Sequence, residues 1–262
     1  MLSSLFDQLW QQYVTDTPQI AKIHQLFVEQ GEQVINDHIA IRTFDDPRVN
    51  IQQLARFFTE LGYQEQGQYT FETKKLSAKH YEHQDDINQP KIFISALKLD
   101  AFSHQLQHIV DQCIGNIPKP LLHSTELLYS GIHWHPLDYG IYQQLLAESE
   151  YAAWLYAFGF RANHFTINVN QLQHFNSLEQ VNIFLKSHQI KLNQSGSEIK
   201  GSPKDLLEQS STLAAEVDIH FKQGTYTIPN SYYEFAKRYP DQNGQIYQGF
   251  IAQSADKIFE ST

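Results

Sequence analysis

The sequence predicts an α+β protein in which two βαβββ-like units pair into one curved sheet around a cavity, with added helices. Two observations carry this prediction. The stretches "NDHIAIRTF" (36–44) and "ANHFTINVN" (162–170) are both strand-like, and each carries its histidine as the third residue. An amphipathic helix follows each, beginning about 13 residues after His38 and about 14 after His164. A strand and helix repeated at matching positions are what a duplicated unit leaves in a sequence, and two such units can close a sheet over a shared interior.

The elements follow in order. Residues 2–30 read as helical, with Leu5, Phe6, Leu9, Trp10 and Tyr13 at helical spacing. In the strand 36–44, alternation puts Ile39, Ile41 and Thr43 on a core face and His38, Ala40, Arg42 and Phe44 on the other. The polar turn "DDPRVN" leads to a helix with Ile51, Leu54, Ala55, Phe58 and Leu61 in period, closed by Gly62. "QYTFETKKLSAKHYEH" and "PKIFISALKL" are strand-like, with room for one further strand within 68–83.

Residues 101–160 are mostly helical and hold "GIHWHPLDYG", a loop-like piece rich in Gly, Pro and aromatics. Past the strand 162–170, Leu178, Val181, Phe184 and Leu185 mark the second helix. "AEVDIHF" and "YTIPNSYYEFAKRY" then supply late strands, with a gap at "KQGT". The expected organisation is a single domain over 1–262. It comprises a helical segment (about 1–30), a first half-repeat (about 31–100), a helical insert (about 101–160) and a second half-repeat (about 161–262).

Composition narrows the function. The chain has 262 residues, 41% apolar and 13% aromatic, enough for a sizeable core and against global disorder. A net charge of −10 with no basic cluster argues against nucleic acid or an anionic membrane as partner. Each inward-facing Arg or Lys therefore matters. Cys113 is the only cysteine, which excludes a disulfide framework and thiolate metal clusters and fits a reducing cytoplasm. The opening "MLSSLFDQLWQQYVTDT" has no basic n-region and contains Asp7, so it does not read as a signal peptide. No apolar run approaches the roughly 18 residues that span a bilayer. The expectation is a soluble cytoplasmic protein.

His38 and His164 head two polar inner strand faces. Two histidines and one carboxylate form the facial triad that binds Fe(II) and leaves positions open for substrate and dioxygen. Glu234, between bulky aromatics in "NSYYEFAKRY", is one candidate carboxylate; Glu72 and Glu260 are rivals. The plain alternative is a hydrogen-bonded core histidine at each position and a carboxylate paired with a nearby cation. His133 and His135 in "HWHP" suggest a cupin pair, but "PLDYG" follows where a cupin would carry a glutamate, so they read as loop packing or a cavity mouth. His80, His83, His104 and His108 have spacings compatible with zinc, yet lie on polar segments and read as solvated.

Arg42 follows His38 by four residues on the same face, roughly 13 Å along the strand. That gap suits a short dicarboxylate held between a metal and a guanidinium, whose planar fork matches a carboxylate. A structural ion pair is the alternative. Lys75, near a strand end in the same half, is a weaker second cation.

"NDHIAIRTF", "YTFETKKLSAKHY", "FGFRANHFTIN", "YTIPNSYYEFAKRY" and "SADKIFEST" together resemble the DUF1338 family, from about residue 30 onward. Characterised members are iron-dependent 2-oxoadipate dioxygenase/decarboxylases that yield 2-hydroxyglutarate in lysine catabolism, on a vicinal-oxygen-chelate-like fold. The resemblance implies His38, His164 and Glu234 as the metal ligands and Arg42 as the catalytic, substrate-binding arginine. It implies Fe(II) as cofactor, with a 2-oxo dicarboxylate and O2 as substrates. The chain is much shorter than the best-characterised members, whose extra segments help to shape the pocket, so the resemblance constrains the metal chemistry more than the identity of the 2-oxo acid. A metal-dependent lyase or isomerase of the same fold, and a non-catalytic binding module, are the alternatives.

Overall fold

Helix formation begins with the apolar stripe Leu5, Leu9 and Tyr13, which α1 (Leu2–Asp16) buries. The computed structural model describes residues 2–251. The single helical segment expected over 2–30 breaks at Thr17, and α2 (Pro18–Glu29) starts on the proline, which lacks the N–H that would continue α1.

The first unit consists of β1 (Asn36–Phe44), α3 (Ile51–Thr59), β2 (Tyr63–Phe71), β3 (Leu76–His83) and β4 (Lys91–Leu97). Asn50 caps α3, its side chain accepting the Gln53 N–H at 3.0 Å. The tract 68–83 does hold the further strand, because the chain turns at 72–75 and splits it into β2 and β3.

The insert supplies α4 (His104–Gly115), α5 (Tyr139–Glu148) and α6 (Glu150–Phe158). Helix α6 ends on Gly159 at φ +68, where a Cβ would stand 2.0 Å from the Gly131 carbonyl oxygen. Only glycine permits that approach. The Gly131–Phe160 bridge beside it feeds the chain into β5 (Ala162–Asn168).

After β5 come α7 (Leu178–Ser187), β6 (Lys200–Ser202), β7 (Leu207–Ser211), β8 (Glu216–Phe221), β9 (Gly224–Pro229) and β10 (Glu234–Arg238). Eight strands form one mixed sheet in the order β2-β3-β4-β1-β5-β10-β7-β6. β1 and β5 meet antiparallel at the centre. β4 runs parallel to β1 on one side, and β10 parallel to β5 on the other. The two four-stranded halves are therefore arranged alike about the β1–β5 seam, as the repeat predicts.

One strand assignment differs from the sequence reading. "AEVDIHF" and the start of "YTIPNSYYEFAKRY" leave the main sheet as a separate hairpin, β8–β9, in which half-buried and exposed residues alternate. Their places are taken by β6 and β7. The "LEQSS" of β7 is too polar to read as a core strand, yet all five residues are buried. Internal partners hold its side chains, as where Ser210 Oγ donates to Asn182 Oδ1 on α7 at 2.9 Å. Among the described residues, no helix is long and apolar enough to cross a membrane.

Candidate metal centre and substrate site

The β1–β5 seam brings the two histidines together. Thr166 pairs with His38 and His164 with Ala40, while β10 places Glu234 beside Thr166. One donor atom from each of His38, His164 and Glu234 lies within 4.8 Å of the others. His164 Nε2 is 3.1 Å from Glu234 Oε2, and His38 Nε2 is 3.6 Å from Oε1. All three side chains are buried.

The outer nitrogen of each ring is fixed by the preceding residue. His38 Nδ1 donates to Asp37 Oδ1 at 2.8 Å, and His164 Nδ1 to Asn163 Oδ1 at 2.9 Å. A carboxylate can only accept, so the His38 proton sits on Nδ1 and its Nε2 lone pair faces inward. Thr166 Oγ1 donates to that nitrogen at 3.0 Å. The centre thus gathers imidazole lone pairs and a carboxylate, of which Glu234 Oε2 has no hydrogen-bond donor. Acceptors turned toward one another in a buried space fit a divalent cation, so these residues could hold a metal ion.

Asp37 is itself anchored. Arg238 Nε and Nη2 reach its two oxygens at 2.7 and 2.8 Å, a bidentate buried pair. Burial alone would raise the Asp37 carboxyl, but Arg238, with help from His38 and Lys91, holds it well below the usual carboxylate range. A carboxylate–histidine chain of this kind orients a ligand ring and increases its basicity. Burial likewise opposes ionisation of Glu234, and positive charge on the facing His38 and His164 rings would bring its pKa down. Burial lowers the His164 pKa, against the pull of Glu234. Gln209 Nε2 donates to Glu234 Oε1 at 2.5 Å and fixes that oxygen.

Arg42 is buried on the same face, farther along β1. Its guanidinium lies 4.9 Å from the Tyr151 ring centre and 5.0 Å from that of Trp154. The Tyr151 hydroxyl donates to the Ser95 carbonyl at 2.7 Å, which locks that ring. Burial pushes the Arg42 pKa down, while Tyr232 and Tyr151 counter it. A cleft of about 270 Å³ between the β2–β3 turn and the α5–α6 junction reaches Arg42. Lys75 stands in that cleft, in the turn at φ +54, with Nζ donating to the Ala101 carbonyl at 2.8 Å. It therefore lies at the approach to Arg42 rather than at the metal centre.

Of the remaining sequence candidates, Glu72 is exposed in the β2–β3 turn and Glu260, with "SADKIFEST", lies outside the described residues. His135 is exposed and His133 only partly covered, and neither belongs to the donor cluster. His104 and His108 are exposed on α4, as read, and His83 is partly exposed. His80 is a correction. Expected to be solvated, it is buried, bonded to the Tyr69 hydroxyl at 2.9 Å and to Glu82 Oε1 at 2.9 Å. Gly67 leaves the room for it, since a Cβ there would meet His80 Nδ1 at 2.8 Å. Phe250 then closes this half of the face. Its N–H donates to Tyr69 Oη at 3.1 Å, and its ring meets those of His38 and His80 at 4.8 and 5.2 Å. Sequence reasoning does not single out Asp37 and Asn163, although each places a side-chain oxygen directly before a repeat histidine.

Comparison with known proteins bears on this site. A family model described as 2-oxoadipate dioxygenase/decarboxylase matches residues 3–119 and 122–242. The chain belongs to this family. A rice family member, the chloroplastic/amyloplastic 2-oxoadipate dioxygenase/decarboxylase, is 37% identical over 255 residues, covering 88% of this chain and 70% of its own. A solved rice hydroxyglutarate synthase, in complex with 2-oxoadipate, superposes with a TM-score of 0.91 at 34% identity, covering 99% of this chain and 91% of that one. A Shewanella frigidimarina protein, provisionally described as a hydrolase, has a TM-score of 0.91 at 50% identity, covering 96% and 98% of the two chains. A Ralstonia eutropha protein of the glyoxalase superfamily shares the fold at a TM-score of 0.77 and 20% identity, covering 94% and 84%. The likeness shows the shared α+β fold of paired units that the sequence predicts.

Proposed function

We propose that this protein is a 2-oxoadipate dioxygenase/decarboxylase that uses Fe(II) and converts 2-oxoadipate and O2 to 2-hydroxyglutarate and CO2, a step of lysine breakdown. The equation balances without an external reductant, because the substrate supplies the electrons. The observation that carries the reading is the juxtaposition of a buried His38–His164–Glu234 donor set with a buried arginine farther along the same sheet face. Family membership supports it, and so does the complex of the rice relative with 2-oxoadipate.

Ferrous iron at this centre would supply the redox chemistry that joins dioxygen to a chelated 2-oxo acid. The chain's own groups have separate tasks. His38, His164 and Glu234 would hold the metal, and a 2-oxo acid would bind beside it. Asp37 and Asn163 keep both imidazoles in the ligating tautomer. Arg42, clamped between two rings, binds a substrate carboxylate and sets the direction of the acid chain. Phe250, packed against the His38 ring, keeps stray water from the reacting end. Ligands come from both halves of the sheet, so we read the chain as one functional unit. A reducing cytoplasm suits ferrous iron and the buried free thiol of Cys113.

The test is oxygen uptake by the Fe(II)-loaded protein with a panel of 2-oxo acids, CO2 being counted alongside. One CO2 per O2, with 2-oxoadipate the preferred acid, is the expected result. Turnover under argon would instead indicate a lyase or isomerase, and binding without turnover a ligand-binding module.

A further inference from the structure

We propose that Tyr232 is a second substrate-binding residue, which clamps with Arg42 the substrate carboxylate remote from the metal. The inference rests on the proposed activity and extends it to a residue outside the ligand set.

The sheet register places Tyr232. His38, Thr166 and Glu234 share one level, and His164 with Ala40 form the next. Arg42 lies two residues beyond Ala40. Tyr232 stands two residues before Glu234, so the parallel β10–β5 alignment carries it toward Arg42, to the level of His164. There its ring stacks on His164, with centroids 4.6 Å apart and planes at 27°. Tyr233, one residue on, turns to the opposite face and packs against Trp10, Tyr13 and Phe235. Tyr232 therefore belongs to the interior between the metal centre and the arginine.

Hydrogen-bond valence supplies the rest. Tyr232 is fully buried, and its hydroxyl faces the Arg42 guanidinium. A guanidinium has only donors, so toward Arg42 the phenol oxygen can only accept. The phenol proton then needs an acceptor of its own, and the described residues provide none. A buried hydroxyl in a native site normally finds a partner. An anionic oxygen bound at Arg42 would receive the guanidinium and phenol donors together. The spacing suits the far end of a six-carbon diacid, since roughly 13 Å separates the His38 and Arg42 backbones and both side chains lean into the gap.

The test compares the parent with Tyr232→Phe, which removes only the hydroxyl. Two substrates of equal chain length are used, 2-oxoadipate and the monoacid 2-oxohexanoate. The variant should show KM for 2-oxoadipate raised about ten-fold or more, the effect of one hydrogen bond to a charged group. Its kcat/KM for 2-oxohexanoate and its metal content should match the parent's, so the diacid preference falls by the same factor. Equal losses with both acids, or no loss with either, would overturn the proposal. Calorimetric binding of the same two acids to Zn(II)-loaded protein gives an independent readout. If the parent oxidised no 2-oxo acid, the activity reading would fail alone. Selective loss of diacid affinity in Tyr232→Phe would still establish the clamp, and unchanged affinity would refute it.

Discussion

His164 Nε2 and Glu234 Oε2 stand 3.1 Å apart, both buried, on neighbouring strands of one sheet. Two inward-turned acceptors at this distance repel unless a proton or a cation lies between them. The first prediction follows from that pairing. His38→Ala, His164→Ala and Glu234→Ala should each strip the protein of stoichiometric metal, measured by elemental analysis, and abolish turnover. His38→Ala with full iron and full activity would refute the assignment. The double variant His133→Ala/His135→Ala should keep its metal, because neither residue belongs to the cluster.

Arg42 bears on specificity. Arg42→Lys retains the charge but loses the fork and the flat contact with Tyr151 and Trp154. Its kcat/KM for 2-oxoadipate should fall by about 1.5–3 kcal/mol, or roughly 10- to 150-fold, the range for hydrogen bonds to charged groups. Metal content should be unchanged. A loss explained wholly by unfolding or by missing metal would make Arg42 structural.

Much of this was legible in the chain. The strand 36–44 has the bounds its alternation predicts, and the two repeat histidines stand out by their matching positions. What eluded sequence reading shares one physical cause, the pairing of polar groups across long stretches of chain. His80 looks solvated because the residues around it are polar, but Tyr69 and Glu82 satisfy it internally. β7 looks like a loop because "LEQSS" is hydrophilic, yet its partners on α7 and β10 make it a core strand. Period-based patterns register apolar faces and pass over a hydrogen-bonded polar interior.

The Asp37–Arg238 pair should govern both stability and metal affinity. Asp37→Asn leaves Arg238 buried without its counter-charge, which costs about 3–5 kcal/mol in comparable cases. Metal affinity should drop about 10- to 100-fold, as for other partners of ligating histidines. Chemical denaturation and metal titration measure the two effects.

The same pair sets a pH dependence. The folded-state pKa of Asp37 is depressed, so the unfolded chain binds more protons as pH falls. Its contribution is present in full above the unfolded value of about 3.9 and is lost as pH drops through the folded value. Urea midpoints of the metal-free protein should therefore decline below about pH 4. The Asp37→Asn variant should show a shallower decline, and equal slopes would exclude this origin.

Phe250 offers a local test. In Tyr69→Phe the Phe250 N–H loses its acceptor. Amide exchange at Phe250 should accelerate by about 2- to 12-fold, corresponding to about 0.5–1.5 kcal/mol. Unaltered exchange would show that ring packing alone secures the segment.

Asp37 and Arg238 are 201 positions apart, and the ligand triad spans nearly the same interval. On the ribosome, His38 and His164 emerge long before Glu234. During that interval the growing chain presents two imidazoles without their carboxylate, and nitrogen donors of this kind favour copper and zinc over iron. The three-ligand site therefore cannot exist until the last strand of the sheet has been made. Selection of a metal by all three ligands together belongs to the assembled fold.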